Sequence, residues 1–209
     1  MTIDRETRKL LLETMARRVI AHAEELTDLD RAIGDGDHGI NMRRGFEAVL
    51  ATVDELSAKE LGEALKGLGT TLVMKVGGAS GPLYGTLFMS LGKSLGDDVT
   101  YEAAVNAFDA AIEAVKKRGK SDVGQKTMLD VLTSVLAALR ESNPDIGSPD
   151  LAARLRAAAK AAAEDTIPMR AIRGRASFLG ERSVGHMDPG ARSSALIVDA
   201  VADVMEGLA

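Results

Sequence analysis

The fold turns on residues 23–39: Ala23-Glu-Glu-Leu-Thr-Asp-Leu-Asp30, then Arg31-Ala32, then Ile33-Gly-Asp-Gly-Asp-His-Gly39. Gly34, Gly36 and Gly39 satisfy the G-x-G-x-x-G spacing of a dinucleotide fold. That fingerprint requires a buried strand immediately before it. The segment before it here is polar and not strand-like, and two aspartates inside the turn would repel a pyrophosphate unless a metal intervened. An EF-hand loop starting at Asp35 fails at its sixth position, Ile40, and its twelfth, Phe46. Gly92-Lys93-Ser94 resembles the end of a P-loop, but Leu87 stands where the first glycine is needed.

With those folds set aside, the same turn is a cluster of acids. Asp30, Asp35 and Asp37 repel one another unless a cation lies among them, and a hard ion such as Mg²⁺ prefers such oxygen ligands. Their bland alternative is a set of solvated turn residues. The chain has no cysteine, so thiolate metal sites and disulfides are excluded.

The rest of the sequence is helical in character. Aromatic residues are 3% of the 209, strand formers are sparse and alanine is abundant, which points to an all-α protein with little means of stacking on single-stranded nucleic acid. A net charge of −5 argues against a nucleic-acid or anionic-membrane surface. The charged start, Met1-Thr-Ile-Asp-Arg-Glu6, has no signal-peptide core, and no apolar run spans a bilayer, so a cytoplasmic location is expected.

Periodicity predicts eight helices. The first runs from near Asp4 to Leu26. The second starts after Gly39 and carries Met42, Phe46, Val49 and Val53. A third covers Lys59 to Val76 and a fourth Pro82 to Leu95. Thr100 caps a fifth that reaches Lys117, and a sixth covers Thr127 to Glu141. Ser148-Pro149 and Asp188-Pro189 open the last two with a cap and a first-turn proline. The alanine-rich Leu151–Ala163 reads as a closely packed helix. Short connections make an up-and-down bundle of one domain, residues 1–209.

Four irregular stretches could carry chemistry: Gly34–Asn41, Gly77–Gly81, Gly119–Gln125 and Gly174–Gly190. Three lead into helices at about Ile40, Pro82 and Pro189, whose N-termini suit phosphate. The first two lie two helices apart and so share an end of the bundle. Other readings stay open. Gly77–Gly81 could be a plain loop, although Ser80 could bond a phosphate. His38 could be a phosphocarrier, a metal ligand or a cap, and its place in the loop favours hydrogen bonding. His22 and His186 read as structural, and Asp188 as an N-cap or a site residue. One of Arg175 and Arg182 should face an anion. Met128 is either core or an apolar surface for a base.

Together these motifs resemble the nucleotide-binding L subunit of dihydroxyacetone kinases, homologous to the C-terminal domain of single-chain ATP-dependent kinases. The resemblance rests on Ile33–Gly39 with Asn41, on Gly77-Gly-Ala-Ser-Gly81, and on Gly174-Arg-Ala-Ser-Phe-Leu-Gly-Glu-Arg-Ser-Val-Gly-His186 with Asp188-Pro-Gly190. It implies a barrel of eight antiparallel helices with a nucleotide pocket at one end. Two Mg²⁺ ions would sit on Asp30, Asp35 and Asp37. ADP or ATP would contact His38, Gly39, Ile40, Asn41, Ala79 and Ser80 at the phosphates, and Gly119 and Met128 at the adenine and ribose. Arg175, Asp188, Pro189 and Gly190 would close the pocket.

The implied activity is transfer of a phosphoryl group to an alcohol. A phosphohistidine M subunit of a phosphotransferase system would recharge bound ADP, and a separate K subunit would carry dihydroxyacetone. From its length and single-bundle pattern the chain is expected to lack a substrate domain, no nucleophile–base pair is evident, and it is expected to act with a partner. An L subunit that exchanges free ATP for another ketose or triose is an alternative, as is a nucleotide-sensing subunit that binds a transcription regulator. The sequence leaves the oligomeric state open, and a homodimer is compatible with it.

Overall fold

The structure is a computed structural model that describes residues 3–96, 99–143 and 148–207; Met1 and Thr2 of the charged start lie outside them. The described residues form ten α-helices and one 3-10 segment, with no strand among them. The helices are α1 (Arg5–Ala21), α2 (Ala23–Ile33), α3 (His38–Ala51), α4 (Val53–Ser57), α5 (Leu61–Lys75), α6 (Ser80–Ser94), α7 (Tyr101–Gly119), α8 (Met128–Glu141), α9 (Ser148–Asp165) and α10 (Pro189–Gly207). The 3-10 segment is Arg175–Ser183, kinked at Gly180.

Eight rods were expected, and two of them are broken. His22 ends α1 with its ring Nδ1 2.8 Å from the Arg18 carbonyl. Thr52 ends α3, its hydroxyl donating back to the Ala48 carbonyl at 3.2 Å. Such side-chain bonds to the preceding turn bend or interrupt a helix. The first rod also runs seven residues past Leu26, to Ile33. Ala23, Leu26, Thr27, Asp30 and Ile33 form a buried stripe at helical spacing, while Glu24, Glu25, Asp28 and Arg31 face water. Asp30 therefore stands on a helix and not in the turn. The fourth helix starts at Ser80, two residues before Pro82, which occupies its first turn.

The capping residues follow the sequence. Thr100 accepts from the Ala103 amide at 3.1 Å, and Thr127 with Asp130 makes a capping box. α9 opens at Ser148, with the preceding residues outside the described ones.

The rods close a ring. α1 packs on α3, α3 on α5, then α6, α7, α8, α9 and α10 in turn, and α10 returns to α1. α1 and α2 run antiparallel to α10, since Arg18 pairs with Asp199 and Asp203 whereas Glu25 pairs with Arg192. The barrel centre is filled by Met15, Leu26, Met42, Phe46, Leu72 and Leu129, among others. A second apolar cluster joins α8, α9 and α10, where Ala159, Ala162 and Ala163 let the alanine-rich helix pack closely. α5 and α6 approach through reciprocal glycines. A Cβ on Gly69 would lie 2.7 Å from the Gly85 carbonyl, and one on Gly62 2.8 Å from that of Gly92. Among the described residues no helix is long and apolar enough to cross a membrane.

Candidate functional site

All four irregular stretches meet at one end of the barrel, around a cavity of about 400 Å³. Its acidic wall is Asp30, Asp35 and Asp37, each offering an oxygen within 4.8 Å of the others. Asp30 is buried, and its Oδ2 accepts the amides of Asp37 at 2.8 Å and His38 at 3.1 Å. Those bonds fix the turn and orient the second Asp30 oxygen. Asp35 is the most exposed of the three and pairs with the Arg175 guanidinium at 3.1 Å. Three hard oxygen donors, one of them immobilised, fit an ion such as Mg²⁺.

His38 opens α3 and is buried. Its Nδ1 lies 3.0 Å from Ser80 Oγ and its Nε2 3.0 Å from Ser193 Oγ. Burial pulls its pKa down to about 4, against the opposing pull of Asp30 and Asp37. With both nitrogens bonded, the ring is held as a neutral linker and has no free nitrogen to accept a phosphoryl group. Ser193 continues the chain to Tyr84, whose hydroxyl donates to the Gly190 carbonyl at 2.9 Å and touches Ser194 Oγ at 2.8 Å. This buried polar chain ties α3, α6 and α10 together beneath the cavity.

Two helix N-termini are open beside the acids. In α3 the His38 amide goes to Asp30 and the Asn41 amide to the Asp37 carbonyl, so the amides of Gly39 and Ile40 are the first-turn donors without an intrahelical acceptor. In α6 Ser80 and Gly81 hold the same place, Pro82 has no N–H, and Leu83 already donates to Ala79. The third expected N-terminus differs. Asp188 Oδ2 takes the Ala191 amide at 2.7 Å, so α10 is capped by its own acid. Burial pushes the Asp188 carboxyl up to about 7, a shift the amides of Ala191 and Gly190 and nearby Lys126 oppose and Asp130 reinforces.

The opposite wall is apolar: Leu83, Val115, Met128 and Leu129, with Gly119 at its edge. A Cβ on Gly119 would lie 2.9 Å from Ser121 Oγ and 3.2 Å from Leu83. Met128 belongs both to the core and to this wall, so its two readings coexist.

Asp30, Asp35, Asp37, His38, Ala79, Ser80, Gly119, Met128, Arg175, Asp188, Pro189 and Gly190 all line the cavity. Gly39, Ile40 and Asn41 do not. The Cα of Gly39 presses on α2, where a Cβ would lie 1.9 Å from the Ala23 carbonyl. The Ile40 side chain is exposed over a second hollow beside Arg31 and Arg43. Asn41 is buried and accepts from Arg44 at 2.9 Å. Arg175 lines the cavity and Arg182 does not.

Sequence reading missed Tyr84, Arg118, Lys126 and Ser193. Ser193-Ser194 carried a signal, two adjacent hydroxyls inside the apolar run of α10. Lys126 carried none, since a lysine between polar loop residues reads as solvated.

Comparison with known proteins accords with this arrangement. Residues 32–203 match the DAK2 domain. The ADP-binding subunit of a PEP-dependent dihydroxyacetone kinase from Listeria innocua is 43% identical over 96% of this chain and 97% of its own length. The corresponding Escherichia coli subunit is 44% identical over 82% of this chain and 83% of its own. Among solved structures, the dihydroxyacetone kinase of C. freundii superposes with a TM-score of 0.74 at 25% identity, covering 92% of this chain; this chain spans 33% of that kinase. Its complex with AMP-PNP and Mg²⁺ superposes equally well, with a TM-score of 0.74 at 24% identity, 97% of this chain and 34% of that one. Sequence motifs, barrel and cavity thus agree with the family match: this chain belongs to the DAK2 domain family.

Proposed function

We propose that this chain is the ADP/ATP-binding subunit of a phosphoenolpyruvate-dependent dihydroxyacetone kinase. The observation that carries the reading is the convergence, at one cavity, of three carboxylates, the first residues of α3 and α6, His38 and Ser80, and an apolar wall. These are the parts phosphoryl transfer needs, because its catalysis is positioning and charge neutralisation. The relatives' activity and partners come to this chain as part of the same reading.

Asp30, Asp35 and Asp37 would hold two Mg²⁺ ions, which when bound offset phosphate charge. The amides that open α3 and α6 would receive phosphate oxygens, together with Ser80, which His38 orients. Gly119 and Met128 would face the base and ribose, and Arg175, Asp188, Pro189 and Gly190 would frame the mouth. The bound nucleotide supplies the phosphoryl carrier between a phosphohistidine M subunit and dihydroxyacetone on a K subunit. The chain's own residues retain it, orient it and shield it; none acts as a nucleophile. The reading takes residues 1–209 as one nucleotide-binding domain working in the cytoplasm.

The test mixes the purified chain with K and M subunits and follows phosphate from phosphohistidine or from ATP into dihydroxyacetone phosphate. Native mass spectrometry of the chain as purified should find ADP and Mg²⁺ travelling with it. Product formed at full rate when this chain is left out would overturn the reading.

A further inference from the structure

The segment between α9 and α10, residues 166–188, contains no α-helix, yet Arg173, Gly174, Arg175 and Ala176 from it line the cavity. It is a strap across the mouth. Its middle touches the barrel through Arg175 on Asp35 and through Ala171, Ala176 and Leu179 on Ile33. Its two ends meet at Lys126.

Lys126 is 1% exposed and has a left-handed backbone, φ 61°, which a lysine adopts only under constraint. Its ammonium donates to the carbonyls of Thr166 at 2.8 Å, Met169 at 3.1 Å and His186 at 2.5 Å, with that of Ile167 at 3.4 Å. Three come from the start of the strap and one from its end. Two further bonds close the same junction: the Gly185 amide to the Ile167 carbonyl at 2.8 Å, and the Asp188 amide to Thr166 Oγ1 at 3.0 Å. Farther along, the Ala171 amide reaches Ser183 Oγ at 2.9 Å. On its other side Lys126 is followed by Thr127 and Met128, which belong to the wall opposite the acids.

A buried ammonium is costly unless every N–H is used. Here the cost is offset by four main-chain carbonyls: those of Thr166 and Ile167 also accept the amides of Met169 and Gly185, and those of Met169 and His186 take the ammonium as donor. Lysine is thus a tethered cation inside a carbonyl cage. An apolar side chain would fill the space and take this donor away from the carbonyls of Met169 and His186.

We infer that Lys126 is a positioning residue for nucleotide retention: by tying both ends of the strap to the cavity wall, it sets how slowly bound nucleotide leaves. The inference rests on the nucleotide reading of the cavity. It distinguishes a chain that keeps its nucleotide from one that exchanges it, and it assigns that property to a residue outside the acid cluster.

The test measures release of a fluorescent ADP analogue with Mg²⁺ by stopped flow, for the wild type, Lys126→Met and Lys126→Ala. Both variants should release it faster by at least about tenfold, a change in off-rate rather than on-rate. In Lys126→Ala, propylammonium should slow release back toward wild type and 1-propanol, the uncharged molecule of like size, should not. A folded Lys126→Met protein that releases at the wild-type rate overturns the inference, as does equal rescue by propanol, which would make Lys126 a space-filler. Should neither variant fold, hydrogen exchange of the wild type decides. The Ala171 and Gly185 amides should exchange far more slowly than those of Ser177 and Phe178, and equal rates would overturn the inference. A wild type that binds no ADP analogue refutes the nucleotide reading instead, and the exchange measurement still tests the anchor.

Discussion

Arg175 Nη2 forms an ion pair with Asp35 Oδ2 at 3.1 Å, so a guanidinium from the strap closes over an acid of the cluster on the far side of the mouth. The pair is exposed, at 67% for Arg175 and 36% for Asp35, and a pair of that kind contributes under about 1 kcal/mol to folding. Its use lies at the mouth. Arg175→Ala should leave the melting temperature of the nucleotide-free chain nearly unchanged, while the upward shift caused by Mg²⁺-ADP shrinks. Paired thermal melts with and without nucleotide check this, and an undiminished ligand shift would show that the arginine does not face the phosphates.

The three aspartates should separate into two kinds. Asp30 accepts two amides while buried, so Asp30→Asn loses part of the turn as well as a metal ligand, at about 1–3 kcal/mol. Asp35→Asn and Asp37→Asn should cost much less stability and still abolish retention of nucleotide and Mg²⁺. Urea unfolding alongside mass spectrometry of the purified variants tests both halves. Wild-type nucleotide occupancy in Asp37→Asn would remove that residue from the site.

Much of this was legible because local rules and global fold agree. Thr100 caps the helix it precedes, and the gap between each motif and the next holds two rods of the barrel, which brings the loops to one end. The helix breaks were not legible, since His22 and Thr52 act through bonds to the turn behind them and leave the apolar period intact. Asp30 reads as a turn residue because Thr27 and Asp30 are polar yet buried, and a polar stripe looks like a solvated face. Ser193 and Tyr84 were hidden because the partners of Ser193, His38 and Tyr84, lie 155 and 109 residues away in sequence. Lys126 was hidden because its partners are main-chain carbonyls, which every residue has.

Two glycines in α5 allow a direct test of the helix contact. A Cβ on Gly69 would meet the Gly85 carbonyl at 2.7 Å and the Met89 amide at 2.8 Å, both main chain and unable to move without separating the helices. On Gly67 the closest atom within range is Leu56 Cδ2, at 2.5 Å, the far end of a flexible side chain. Gly69→Ala should therefore destabilise by about 1–3 kcal/mol through overpacking. Gly67→Ala should fall within about 1 kcal/mol of wild type, since helix propensity gained offsets the shift of Leu56. Chemical denaturation of the two variants separates these outcomes, and equal costs would contradict the close approach of α5 and α6.

Asp188 gives the chain a pH dependence whose sign is fixed. Its carboxyl is raised from 3.8 to about 7, chiefly by burial. A group that holds its proton longer when folded makes folding take up a proton between those values, so stability falls as pH rises from about 4 to about 7 and stays lower above. Asp188→Asn keeps the cap, because asparagine caps as well as aspartate, and removes the titration. The variant should match the wild type at pH 4.5 or fall slightly below it. At pH 8 it should exceed the wild type, by about 1–3 kcal/mol. Denaturation across that range, comparing the two proteins at each pH, gives the difference directly. A constant difference from pH 4.5 to pH 8 would mean that Asp188 ionises in the folded chain as it does in water, with Lys126 and the amides of Gly190 and Ala191 fully compensating its burial.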